Sequence, residues 1–166
     1  RQDPPFELLD AGAFADDRYF DVEVQFAKAS STEIHMRILA DNRGPEAAPL
    51  HLLPTLWFRN TWSWDSDAIR PRARPEAAPL GASWCVRAEH PELGNWWLYG
   101  RQPARSLLFT ENDSNGAGLW GGADGGPAKD AFHRLIVGGE AGAVDPGRRH
   151  GSKFAAWHVY DVPAGQ

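Results

Sequence analysis

Apolar and polar positions alternate strictly over residues 19–28, with Phe20, Val22, Val24 and Phe26 on one side and Asp21, Glu23 and Gln25 on the other. A period of two predicts a β-strand with one half-buried face. Ser30, Ser31 and Thr32 break the pattern, and Ile34, Met36 and Ile38 then alternate with His35 and Arg37 in a second strand. Turn residues fill 41–46, and the apolar run 50–58 predicts a third strand whose Pro54 argues for an edge position or a bulge. Two consecutive hairpins predict an antiparallel meander. Residues 65–81 show no period of 2 or 3.6, and their prolines and arginines predict a long surface loop. Strands are predicted again at 83–89, 96–100 and 106–110, and the alternation over 155–162 closes the chain with a last one. Glycines crowd 116–126, and Phe132, Leu135 and Ile136 at helical spacing predict one short helix over 129–136. The sum is an all-β, antiparallel β-sandwich with one short helix, expected as a single domain over residues 1–166.

Composition narrows the partners. The chain has 166 residues, 42% of them hydrophobic and 11% aromatic, enough for a packed core. Its formal net charge is −5 and no segment gathers Lys and Arg on one face, so nucleic acid is not an expected partner. No apolar run reaches the ~18–20 residues of a membrane span, so no membrane partner and a cytoplasmic location are expected. Cys85, the single cysteine, lies in an apolar stretch and is expected to be a buried, inert thiol. Arg1 in place of a methionine, and the Pro-Ala-Gly-Gln end, lead to the expectation of a piece of a longer chain.

Chemistry-bearing patterns are few. The six histidines stand singly and no cysteine cluster accompanies them, so neither a metal nor another cofactor is expected. Nucleophile elbows and phosphate-cradling loops are absent from the sequence. Three carboxylate pairs are visible, Asp16 with Asp17, Asp65 with Asp67, and Glu111 with Asp113, and each reads first as a solvated turn. The run Leu53-Pro54-Thr55-Leu56-Trp57-Phe58-Arg59-Asn60-Thr61-Trp62-Ser63-Trp64 is the most informative passage. Indole faces suit the C–H side of a pyranose ring, and Arg and Asn donors suit its hydroxyls. Burial for stability is the competing explanation of the same aromatics. If the strand continues, Trp57 and Phe58 point to opposite faces, so one of them belongs to the core.

That run, together with Asp16-Asp17-Arg18-Tyr19-Phe20-Asp21-Val22, Asn42-Arg43-Gly44-Pro45-Glu46-Ala47 and Leu108-Phe109-Thr110-Glu111-Asn112, resembles the N-terminal region of bacterial proteins of glycoside hydrolase family 63. This family includes mannosyl-oligosaccharide glucosidase and mannosylglycerate hydrolase-like enzymes, and the resemblance runs over nearly the whole chain. It implies a non-catalytic part of a larger super-sandwich that packs against, and helps shape, an (α/α)6 barrel of the same chain. The barrel would bear the acid and base for inverting hydrolysis of α-glycosidic bonds. No catalytic residue is carried over, and the chain itself is expected to have no activity. Arg59, Asn60, Trp62, Trp64, Glu111 and Asn112 are expected at a substrate rim or domain interface, with an oligosaccharide as ligand. The alternatives are a free-standing carbohydrate-binding module and a structural or oligomerisation domain; open sheet edges would favour self-association.

Overall fold

A computed structural model describes residues 6–65, 67–121 and 126–166. The fold is all-β and antiparallel, with two short α-helices and three 3-10 turns among the described residues. The chain divides into two compact units, Arg1–Leu50 with Tyr160–Gln166, and His51–Val159. None of the described helices is long and apolar enough to cross a membrane.

In the first unit, β1 (Phe20–Lys28) and β2 (Ile34–Asn42) form a two-stranded antiparallel hairpin. The strands fall where alternation predicted them, but the apolar face is not half-buried as expected. Val22 sits opposite Ala40, Val24 opposite Ile38 and Phe26 opposite Met36. Across this face Val22 is 51% exposed, Val24 47% and Phe26 69%. Asn42, at the end of β2, is fully enclosed: its Nδ2 donates to the carbonyls of Glu46 (2.8 Å) and Val162 (2.9 Å), and its Oδ1 accepts from Gly44 N–H (2.8 Å).

The expected third strand is two strands, β3 (Ala48–Leu52) and β4 (Thr55–Trp57), because Pro54 has no N–H to donate and the ladder stops around it. Both pair with β9 (Lys153–Val162) rather than extending the β1–β2 hairpin, so the expected meander is replaced by a non-local sheet. β8 (Ser106–Thr110) also pairs with β9, from Ser106 opposite Trp157 to Thr110 opposite Lys153.

Inside the loop predicted over 65–81 lies a strand, β5 (Arg72–Glu76), which pairs with β6 (Trp84–His90), itself paired with β7 (Gly94–Gly100). Its sequence, Arg72-Ala73-Arg74-Pro75-Glu76, carries only small or cyclic groups on the inward side, too weak a signal to read as a strand. Ala73 is nevertheless completely buried. The β5–β6–β7 sheet and the β8–β9–β4 sheet face each other in a sandwich-like core of Ala73, Trp84, Val86, Phe109, Phe154 and Ala156, with Leu56, Phe58 and Leu98 packed on it. Phe109 and Phe154 pack with their rings tilted at 42° and 5.1 Å between ring centres. Gly100 must be glycine, since a Cβ there would meet the Trp84 ring at 2.4 Å.

The predicted helix is α2 (Ala131–Ile136), whose Phe132 and Leu135 join a second apolar cluster with Leu108, Val144 and Ala155. A second helix, α1 (Gly116–Trp120), opens the glycine-rich stretch; it is capped by the Asn115 side chain, which accepts from Gly118 N–H at 2.9 Å. Residues 122–125 of that stretch lie outside the described residues.

Candidate functional site

The tryptophan-rich run enters the second unit as β4, with Thr55 opposite Ala155 and Trp57 opposite Lys153. Leu56 and Phe58 turn into the core, whereas Trp57 stays 57% exposed, so Phe58 is the core member of the pair. Beyond β4 the chain leaves the sheet and is clasped. Phe58 N–H donates to Ser152 O at 3.1 Å, and its carbonyl accepts from Asn112 Nδ2 at 2.8 Å.

The clasp centres on Asp113. Its Oδ1 accepts from Trp62 Nε1 (2.8 Å) and Asn60 Nδ2 (3.0 Å), and its Oδ2 lies 3.0 Å from Arg70 Nη1. The same Arg70 nitrogen is 3.2 Å from Glu111 Oε2, so one guanidinium bridges both carboxylates of the Glu111/Asp113 pair. Arg70 also lies 5.2 Å above the Trp62 ring, a cation–π contact. Glu111 Oε2 further accepts from Ser152 Oγ (2.6 Å) and Ser152 N–H (3.1 Å), while Oε1 pairs with Arg148. Ser152 Oγ in turn accepts from Asn112 N–H at 2.8 Å. The loop bearing Arg148 is held down at Gly151, which exchanges two backbone bonds with Ala73 at 2.7 and 3.1 Å. A Cβ on Gly151 would meet Thr110 O at 2.1 Å, so only glycine permits this approach.

Burial would push the Glu111 carboxyl up, but the Ser152 hydroxyl and N–H, with the Arg148 and Arg70 charges, outweigh it and hold the group below the usual carboxylate range. A general acid needs the opposite displacement. Glu111 is therefore a fixed, ionised acceptor, and its partner Asp113 is fully engaged in the same network.

Six residues were expected at a rim or interface. The structure brings Asn60, Trp62, Glu111 and Asn112 together in this clasp, where Trp62 is only 8% exposed. Arg59 and Trp64 stand apart as a stacked pair, with Arg59 Cζ 5.4 Å from the Trp64 ring centre and Trp64 70% exposed. Asp113, Arg70, Arg148 and Ser152 were not singled out from the sequence as site residues, although the three arginines of 65–81 were visible. In the Asp65/Asp67 pair, Asp67 N–H donates to Asp65 Oδ1 at 3.0 Å. Beside the clasp a recess of about 220 Å³ is bounded by Arg70, Pro71, Arg72, Glu111, His150 and Gly151. It falls below the ~300 Å³ at which pockets begin to enclose small molecules. Among the described residues, no three of His, Cys, Asp or Glu are grouped to hold a metal ion.

Fold and site together define an antiparallel β protein with a sandwich-like unit and a polar clasp built around the carboxylates of Glu111 and Asp113. No known family profile matches the chain, and no solved structure matches it. It is similar to the uncharacterized protein YMR196W of Saccharomyces cerevisiae, 27% identical over 198 residues that cover 99% of this chain and 18% of that protein. The chain thus spans about a fifth of the length of the curated relative it matches.

Proposed function

We propose that this chain is a non-catalytic, cytoplasmic β-sandwich region of a larger glycoside hydrolase of the family 63 kind, acting on α-glycosidic bonds and helping to shape an (α/α)6 catalytic barrel of the same polypeptide. The observation that carries the reading is the uncovered apolar face of the β1–β2 hairpin, where Val22, Val24, Phe26, Ile34 and Met36 are all exposed. A continuous apolar sheet face of this kind is a contact surface in search of a packing partner. The clasp adds support: Glu111 and Asp113 are locked by arginines, so the chain's most conspicuous carboxylate pair is arranged for architecture rather than acid–base chemistry. Arg59 and Trp64, exposed at the end of the clasped run, are the residues of this site that reach outward to a rim or interface. The resemblance of residues 50–64 to the family supplies the reaction class, and the greater length of the yeast relative fits a region of a longer protein.

The test is the size of the native polypeptide in its source cells, detected with an antibody raised against this chain. A band several times larger than 18.3 kDa is expected. A band near 18.3 kDa overturns the proposal and leaves a free-standing module.

A further inference from the structure

The outer face of the β5–β6–β7 sheet, remote in sequence from the tryptophan-rich run, carries an arrangement that the clasp does not use. Trp84 and Val86 of β6 point into the core, so Cys85, Arg87 and Glu89 face the other way. Register then places Arg74, Arg87 and Trp97 in one row across the three strands, and Glu76, Cys85 and Tyr99 in the next. Trp97 Nε1 donates to Glu76 Oε2 at 3.3 Å, although the two residues belong to strands separated by β6. Spanning two strand spacings, roughly 9–10 Å, requires the indole to lie across the sheet rather than stand on it. Cys85, between them, is accordingly only 3% exposed on what is otherwise a solvent face. Trp97 itself remains 52% exposed and its neighbour Tyr99 49%. One indole face is thus turned to the sheet and the other to solvent.

Polar groups of both signs surround this ring. Arg74 and Arg87 both pair with Glu89 at 3.3 Å, and Glu76 holds the indole, so the arginines and glutamates nearest the ring are engaged with one another or with it, while Arg72 lies one row further along the same face, opposite Glu89. The buried Nε of Arg87 has no hydrogen-bond partner, and Arg87 Cζ lies 5.8 Å from the Trp97 ring centre. A flat apolar surface rimmed by donors and acceptors of both signs, with Arg74 and Arg87 already paired to a carboxylate, matches a neutral, hydroxyl-rich ring better than a phosphate-bearing one.

We propose that the outer face of the β5–β6–β7 sheet is a binding platform for a neutral oligosaccharide, with Trp97 as the stacking surface, Tyr99 as its extension along the strand, and Arg74, Arg87 and Glu76 as hydroxyl partners. It stands independently of the accessory-region reading, since such a platform would serve either a region of a larger enzyme or a separate module.

Cys85 is the only cysteine, so its alkylation rate reports directly on the cover above it. The chain is titrated with maltoheptaose, cellohexaose, mannohexaose and xylohexaose, following both heat of binding and Cys85 alkylation. At least one probe is expected to bind saturably and to slow Cys85 labelling. Trp97→Ala is expected to weaken that binding about tenfold or more and to speed basal labelling, a loss of the size that one stacked ring supplies. Tyr99→Ala, which leaves the indole in place, is expected to weaken binding less while labelling remains slow. Trp120→Ala, on the exposed end of α1, is expected to change neither. Failure of all four probes to bind overturns the proposal, and so does binding that survives both Trp97→Ala and Tyr99→Ala unchanged with circular dichroism melts intact.

Discussion

Two β-regions of this molecule carry the same alternating pattern and meet opposite fates. In the β1–β2 hairpin, Phe26 faces Met36 across the strands and is 69% exposed; in the sandwich-like unit, Phe154 of β9 faces Phe109 of β8 and neither is exposed at all. Alternation therefore reports that a strand has an apolar side, and says nothing about what lies against it. Phe154 is covered because β5, β6 and β7 lay a second sheet over it with Ala73, Trp84 and Val86. Among the described residues the hairpin's apolar side stays exposed, which is why its surface supports the proposal of an external packing partner.

Truncating the two phenylalanines tests this contrast most severely. Phe154→Ala removes a fully buried ring and is expected to cost about 3–5 kcal/mol in urea unfolding, whereas Phe26→Ala is expected to stay within about 0.5 kcal/mol. Comparable losses would mean that the hairpin face is covered in solution. Gly151→Ala drives a methyl group into the Thr110 carbonyl, where backbone rather than a flexible side chain must yield, and is expected to cost toward the upper end of about 1–3 kcal/mol by the same assay.

The clasp provides a subtler probe of the sandwich-like unit. Asp113→Ala strands the Trp62 indole N–H, leaves the Asn60 amide only its longer bond to the Asn112 carbonyl, and is expected to cost about 1–3 kcal/mol. Trp64→Ala, at an exposed ring, is expected to leave stability nearly unchanged, while lowering turnover of a full-length enzyme if it serves the rim. Glu111 adds a pH dependence of fixed sign. Its folded carboxyl titrates below its unfolded value, so its stabilisation is complete above the unfolded value and is lost as pH falls through the folded one. Urea midpoints measured from neutral pH downward should fall more steeply for the wild type than for Glu111→Gln; parallel slopes would show that Glu111 is not the titrating group. The smallest expected effect is Phe26→Lys, which should leave unfolding unchanged but lower any concentration-dependent association seen in sedimentation. Association that persists in this variant would place the sticky surface outside the hairpin.

Much of the architecture was legible along the chain because it rests on local periodicity. The strands over Phe20–Lys28, Ile34–Asn42 and Ser106–Thr110, and the helix Ala131–Ile136, all follow from apolar spacing. β5 was not legible because Arg72-Ala73-Arg74-Pro75-Glu76 has no bulky inward residue; it is a strand only because β6 offers it a ladder and Gly151 locks Ala73 from the other side. The split at Pro54 was half legible: proline announced an interruption, but not that the two pieces would pair with a strand about a hundred residues away.

The candidate site divides in the same manner. Asn60, Trp62, Glu111 and Asn112 were singled out by residue type, yet nothing in their spacing joined them to Arg70, Arg148 and Ser152. What the sequence by itself determined is an antiparallel β protein, acidic overall, with an aromatic run beside hydrogen-bonding side chains, since each of these is a property of neighbouring residues. Tertiary structure decided that Trp62 is tied down while Trp64 stays exposed beside Arg59, that Glu111 is an ionised anchor, and that Trp97 lies across its sheet. Those outcomes depend on which distant charges and strands converge, and burial and hydrogen bonding act only once the chain has brought them together.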